Sequence, residues 1–520
     1  MEMEMLILSV LVLFVSLYYL FRMLNRNASK NEVHHHNHQL QLPPGSSGWP
    51  IIGEGLAFLI TAKRGVPEKF IGERRIKYSS SDSKSSSSSC KVFTTSLLRE
   101  SMAVLCTAAG NKFLFSNENK LVKSWWPANI DTRDPLLAQN LPWATAQVAI
   151  YVATSLIDTV FASSNKTNTA EESIRHRKVL SPFLSPDSLR KYVGTMDTVT
   201  KRHLDLFWSD QKQVKVLALT KMHTFTLVCK IFLNVEDLAV IAKLEEPIQH
   251  IAAGFISLPI NLPGTAFNRA IQASKQVRKD LENMVKQRRI DLDLSVAADE
   301  DNNNHDLMSK LLLERYSDGQ QMKETDIANK LNGLLIAAYD NVFITLCSII
   351  MYLSELPTVY DAVLKEQMEI ADSKAEGELL NWEDIQKMKY TWNVACEVLR
   401  LEPPNPGTFR EAMTDFVYEG YLIPKGMKVW YFPDPKKFDP SRFDGGGPAP
   451  FSYVPFGGGP RMCPGREYAR FTILVFMHNL VTRFRWEKVF PKEKMVMTPF
   501  LLPTKGLPVR LYPHPSTSSL

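Results

Sequence analysis

Six cysteines lie scattered along the 520 residues (Cys90, Cys106, Cys229, Cys347, Cys396 and Cys463), and only the last stands in a setting made for chemistry. Around it the chain reads Phe456-Gly457-Gly458-Gly459-Pro460-Arg461-Met462-Cys463-Pro464-Gly465. A thiolate that holds iron needs backbone N–H groups directed at its sulfur, which limit its basicity and set its potential. Glycines let the backbone come that close. Arg461 can pair with a porphyrin propionate. A helix beginning just past the cysteine would turn its positive end toward the anion. Phe456, Gly459, Arg461, Cys463 and Gly465 therefore fit together as a haem-binding loop with Cys463 as the iron ligand. No CxxC pair or regular cysteine framework accompanies it, which argues against zinc modules and disulfide scaffolds and favours reduced thiols in a cytosol-facing domain. GxGxxG, P-loop and HExxH motifs are absent as well, so nucleotide-binding and zinc-hydrolase readings lose support.

The elements that must hold this loop are mostly helical. Ile271 to Leu292 is charged and amphipathic, and Ile327 to Leu353 is long and apolar. Trp382 to Leu401 starts after a capping Asn381 and carries Glu397 and Arg400 on one face. Phe471 to Phe484 reads as an apolar helix following the cysteine loop. Strand-like pieces are short: Lys91 to Thr95, Phe416 to Leu422, Lys428 to Phe432 and Pro508 to Tyr512. The expected fold class is mainly α with small β-sheets. The composition is globular, with 45% hydrophobic and 22% charged residues, and the net charge of +6 is too modest for a nucleic-acid footprint.

The N-terminus predicts an anchor. Met5 to Phe21 is uncharged and reaches the short end of a span of roughly 20 residues. Arg22, Arg26 and Lys30 follow it, which keeps the downstream chain cytosolic, and the acidic residues before it disfavour a cleaved signal. Residues 1–23 are thus read as a single membrane anchor and 24–42 as a polar linker, its histidine tract (His34, His35, His36 and His38) an exposed stretch. A stiff proline-rich segment from Leu42 to Gly53 then leads into the main domain, 43–515.

The cysteine loop resembles the haem-binding signature of the cytochrome P450 superfamily, with Glu397-Val398-Leu399-Arg400 similar to its ExxR helix and Asp439-Pro440-Ser441-Arg442-Phe443 similar to its PxRF element. The resemblance implies the cytochrome P450 fold, a haem b cofactor, and a structural charge network of Glu397, Arg400 and Arg442. It also implies propionate contacts from Arg177 and Arg410. Stretches such as LPPGSSGWPIIGE, LPGTAFNRAI and CPGREYARFTILVFMHNLVTRFRWEK are similar to the plant triterpene-oxidising group that includes beta-amyrin 28-oxidases. That likeness implies insertion of oxygen into a large apolar pentacyclic triterpene, in repeated rounds from methyl to carboxyl. Electrons would come from NADPH through NADPH-cytochrome P450 reductase, whose acidic face would dock near Arg466, and the chain would sit at the endoplasmic reticulum membrane. Residues expected to face substrate are Trp126, Leu258 to Pro263, Ala337, Ala338, Pro404 to Phe409 (Phe409 included), and Phe500 to Pro503 (Leu501 included).

Three departures stand against this pattern. The helix that activates oxygen in the family reads Ala/Gly-Gly-x-Asp/Glu-Thr; here it is Ala337-Ala338-Tyr339-Asp340-Asn341. Asp340 and Asn341 are then the residues that must deliver protons, since a carboxamide both donates and accepts. Residues 132–158 form an atypical insert in the loop that roofs the family's active site, read here as of splice or gene-model origin rather than as a lid extension. A loop of roughly a dozen residues, an ordinary length for a functional loop, is missing after Tyr431. Alternative readings are a diterpenoid (taxoid-like) hydroxylase, a haem-thiolate isomerase or lyase needing neither oxygen nor reductase, and a catalytically impaired haem-binding product.

Overall fold

The computed structural model describes residues 40–49, 53–64, 68–79, 90–97, 100–125, 170–254, 262–297, 306–315, 319–405, 407, 409–425, 427–431, 438–497 and 500–514. The N-terminal anchor, the His tract, Trp126, the 132–158 insert and the short connection after Tyr431 lie outside them. The described residues fall into two compact units: one drawn from residues up to 62, 66–125 and 409–432, the other from 63–65, 126–408 and 433 onward.

The first unit is built on a five-stranded sheet. Val92–Leu97 and Glu100–Leu105 form an antiparallel hairpin, and Lys428–Tyr431 joins Glu100–Leu105 in parallel. Phe409–Ala412 then lies antiparallel to Lys428–Tyr431 and to Val122–Ser124. One face packs Phe70, Phe93, Met102 and Val104 together, and the other Val92, Leu105, Leu114 and Val122. The alternation along each strand explains both cores, because successive side chains point to opposite faces. Phe416 to Leu422, expected as one strand, is instead a hairpin of Phe416–Tyr418 and Tyr421–Ile423. Its two-residue turn has Glu419 at φ 51° and Gly420 at φ 81°, the backbone that a tight hairpin of matching twist requires. A glutamate in that place gave no turn signal.

The second unit is helical around one buried helix, Glu324–Glu355. Acidic Glu324 and Asp326 suit its N-terminal dipole, and its apolar length runs through two cores. The helices Val216–Val228, Leu238–Gly254 and Ala266–Ala297 share the first core with it, and Lys389–Leu401 shares the second. The helix Arg466–Val481 contributes to both, through Phe471 and Leu474 on one side and Ile473, Phe476 and Leu480 on the other. Residues Val216–Leu233 and Glu324–Glu355 are long and apolar enough to cross a membrane, but 61% and 78% of their apolar windows are buried, as befits core helices. A three-stranded antiparallel sheet (Gln213–Lys215, Pro508–Pro513, Phe484–Lys488) and a hairpin of Met495–Met497 with Leu501–Pro503 complete the unit.

Two helical expectations need correction. Trp382 to Leu401 is two helices, Trp382–Lys387 and Lys389–Leu401, because Met388 leaves helical space at ψ 54°. The Asn381 cap is present as a reciprocal capping box with Asp384. The helix after the cysteine loop ends at Val481 and Phe484 already begins a strand, so the apolar run of Phe471 to Phe484 spans two elements.

Candidate active site

The cysteine loop is a closed turn. The Cys463 N–H donates to the Phe456 carbonyl at 2.8 Å, and Gly457 and Gly459 hold φ 70° and 65°, backbone that only glycine adopts without strain. The Cys463 amide is therefore spent on closing the loop, and the donor that reaches the sulfur is the Gly465 N–H. Arg461 ends a short 3-10 turn, and Arg466 opens the helix behind the thiol. Cys463 is accessible while the other five cysteines, all unpaired, are buried. Its sulfur nevertheless lies deep among protein atoms: burial raises the thiol pKa, opposed by the Gly465 N–H and the Arg177 guanidinium. Arg177, on the helix Ala170–Leu184, donates to the Met462 carbonyl at 2.7 Å and so clamps the loop directly before the cysteine.

Behind the loop stands the charge network. Glu397 is fully buried, and Arg400 grips it in a fork with Nε–Oε2 at 2.6 Å and Nη2–Oε1 at 2.8 Å. The Asp439 N–H donates to Glu397 Oε1 at 2.6 Å, and Arg442 Nε lies 3.5 Å from the same oxygen. Three-residue spacing on one helix aligns Glu397 with Arg400. The short 3-10 turn Pro440–Phe443 carries Arg442 to them, while Asp439, which caps that turn with its side chain, gives Glu397 its backbone N–H. The Asp439 N–H is a partner that no side-chain motif announces.

The central helix supplies an open face. From Leu331 to Ile350 every residue is buried except Ala337, Ala338 and Asn341, which share one side of the helix. Asn341 Nδ2 donates to the Ala337 carbonyl at 3.4 Å, and its Oδ1 accepts from Asn405 Nδ2 at 3.0 Å. Asp340 points into the protein instead. Burial pushes its carboxyl up to about 7, with the charge of Lys221 pulling the other way. Lys221, on the helix Val216–Val228, is itself lowered by burial and supported by Asp340 and by Glu245 of Leu238–Gly254. Lys221 went unnoticed in the sequence, and Asn405 entered only within the expected substrate-facing run Pro404 to Phe409; neither belongs to a motif, and each meets its partner only across the fold.

Other expected positions scatter. Leu262 is exposed, and Leu501 is partly buried in its hairpin beside Phe500 and Leu502, which pack on the helical core. In the sheet unit, Arg410 is buried, forms an ion pair with Glu118, and donates to the Phe409 carbonyl at 2.9 Å. Phe409 meets Trp125 edge to face at 5.7 Å.

The donor set fits an iron porphyrin: one accessible sulfur with an N–H aimed at it, guanidinium groups beside it for carboxylates, and a small-residue helix face in the same unit. Among the described residues no cluster of three or more His, Cys, Asp or Glu could hold a bare metal ion instead. A family model described as cytochrome P450 matches residues 163–511. A beta-amyrin 28-monooxygenase of Kalopanax septemlobus is 49% identical over 519 residues, covering 98% of both chains. One of Medicago truncatula is 50% identical over 486 residues, covering 91% of this chain and 93% of its own. Among solved structures, a retinoic-acid-bound cyanobacterial protein, CYP120A1, superposes with a TM-score of 0.75 at 27% identity, covering 92% of this chain and all of its own. A thiol loop with this geometry and matches of this extent have one reading: the chain belongs to the cytochrome P450 family.

Proposed function

We propose that this chain is a membrane-tethered haem-thiolate monooxygenase that oxidises a pentacyclic triterpene of the beta-amyrin type. The observation that carries the reading is near-full-length similarity, at about half identity, to several beta-amyrin 28-monooxygenases, together with an intact Cys463 loop. When bound, the haem supplies oxidation of an unactivated C–H bond, with O2 and two NADPH electrons yielding one hydroxyl and one water.

The protein's own residues do the rest. Cys463 would be the iron ligand, and the Gly465 N–H together with the Arg177 charge favours the thiolate that this role needs. Arg461 and Arg177 would meet propionates, the role that the family pattern also gives Arg410. Glu397, Arg400 and Arg442 hold the loop in register and touch no substrate. Ala337 and Ala338 give a hydrocarbon skeleton a smooth wall, as apolar substrates require. Asp340, with its carboxyl near neutrality, holds and releases protons, and Asn341 orders the water that carries them. Electrons arrive from a reductase that draws on NADPH. The uncharged run Met5 to Phe21, followed by Arg22 and Arg26, supports a single-pass anchor in the endoplasmic reticulum with the catalytic domain cytosolic.

Yeast membranes holding this chain and a plant reductase test the reading. The expected results are a thiolate-type absorption band of the reduced CO complex and oxygenated beta-amyrin that depends on NADPH. Cys463→Ser should abolish both. A CO band without oxygenation of beta-amyrin, but with oxygenation of a diterpene, would overturn the triterpene assignment.

A further inference from the structure

Resting on the proposed monooxygenase reading, we propose that Asn405 is a positioning residue for Asn341. It holds the Asn341 carboxamide in one orientation on the open face of the central helix. The assignment follows from donors and acceptors. A backbone carbonyl can only accept, so the group of Asn341 that lies 3.4 Å from the Ala337 oxygen must be its NH2. The Asn341 oxygen is then the atom that faces Asn405, and it needs a donor, which Asn405 Nδ2 supplies at 3.0 Å. One amide flip is thus tied to the other, and the Ala337 carbonyl sets both.

The backbone around Asn405 is suited to this. Pro403 and Pro404 precede it and Pro406 follows it. Prolines fix φ and donate nothing, so the chain carries Asn405 to its partner with little backbone freedom and no competing N–H from its neighbours. Among the described residues Asn341 makes no other side-chain hydrogen bond than these two. A hydroxyl at its position could spin to suit any neighbour, but a carboxamide has a donor end and an acceptor end and works only when turned the right way. With both contacts made, Asn341 keeps one N–H, and Asn405 its Oδ1, for a water or a substrate oxygen on the open face. Without Asn405, the Asn341 oxygen loses its donor, the amide turns, and proton delivery fails. The electrons then leave as peroxide: O2, NADPH and a proton give H2O2 and NADP+, and no C–H bond is cut.

The test uses the full chain with reductase in membranes and beta-amyrin as the probe. Wild type, Asn405→Ala, Asn405→Asp, Asn341→Thr and the double variant Asn341→Thr/Asn405→Ala are compared for peroxide released per NADPH. Asn405→Ala should raise that ratio about two- to tenfold, the worth of one hydrogen bond. Asn405→Asp, an acceptor alone at that place, should raise it at least as far. On the Asn341→Thr background, Asn405→Ala should change it by less than about 1.5-fold, since coupled residues are non-additive. Equal effects of Asn405→Ala on both backgrounds, or none on the wild type, would overturn the proposal. A urea-unfolding cycle of Asn405→Ala and Asn341→Ala reads the pair without turnover: shifts that add within error would overturn it, and non-additive shifts support it. Absence of a thiolate-type CO band or of oxygenated product in the wild type would instead sink the monooxygenase reading and leave the unfolding cycle to decide the pair.

Discussion

Replacing Asp340 by Asn should make the protein more stable and less competent, and pH separates the two effects. Burial lifts the Asp340 carboxyl from 3.8 to about 7. The unfolded chain releases this proton near 3.8, whereas the folded protein keeps it up to about 7. The stabilising preference for the protonated form is therefore complete below the lower value and lost as pH rises through the upper one. Each pH unit of that window removes about 1.4 kcal/mol, so the ionised carboxylate costs at most about 4 kcal/mol at pH 8. Asn has nearly the same shape and never ionises. At pH 5 the folded wild-type carboxyl is protonated and neutral, much like the amide, while the unfolded chain has already released its proton, so about 1.6 kcal/mol of the advantage is present there beside the packing change. Between pH 5 and pH 8 the advantage of Asp340→Asn should grow by about 3 kcal/mol, a ceiling that charge sharing with Lys221 and Glu245 will reduce. Urea unfolding of the haem-loaded proteins at both pH values, followed by tryptophan fluorescence, measures this growth. Turnover should fall about 10²-fold, the usual worth of a placed acid or base. An advantage that stays constant or shrinks from pH 5 to pH 8 would refute the premise that a buried, neutral carboxyl is what the fold prefers.

The histidines predict the opposite slope at the acid end. Burial lowers His203 to about 3 and His478 to about 4, against 6.5 for an imidazole in water, so each remains neutral in the fold while the unfolded chain takes up a proton. Stability should fall by about 2 kcal/mol per histidine from pH 6.5 to pH 5, and His203→Phe should flatten the denaturation-midpoint profile over that range. Glu397→Ala leaves the guanidinium of Arg400 without its fork and should cost about 3–5 kcal/mol, seen as loss of the thiolate-type CO band in favour of unfolded or haem-free protein. Retention of full haem content would contradict a supporting role for the network. Gly457→Ala places a side chain at φ 70° and should cost about 1–2 kcal/mol, with haem content lowered and the midpoint shifted.

Much of the site was legible because its information is local. The cysteine loop needs its glycines, arginine and thiol within ten residues, and Glu397 with Arg400 needs only one helical turn. Arg442 could be joined to them by resemblance, and the structure supplies the reason: the Asp439 N–H and Arg442 both meet Glu397. Helix existence was also readable, since the apolar period of Glu324–Glu355 and the Asn381 cap are written in neighbouring residues. Boundaries were harder. The break at Met388, the hairpin at Glu419-Gly420 and the switch from helix to strand before Phe484 each join two elements of similar apolarity, and hydrophobic pattern alone cannot divide them.

By itself the sequence determined that a glycine-rich loop presenting one thiol sits before an apolar helix, because covalent spacing sets those contacts whatever the rest of the chain does. The tertiary structure alone decided which side chains meet the departures from pattern. Asn341 finds its donor 64 residues away in Asn405, and Asp340 faces Lys221 from another helix. Such pairs have no signature in one dimension: they arise from how helices cross and which backbone carbonyl lies beside an amide. That packing turns Asn341 from a missing hydroxyl into half of an oriented amide pair.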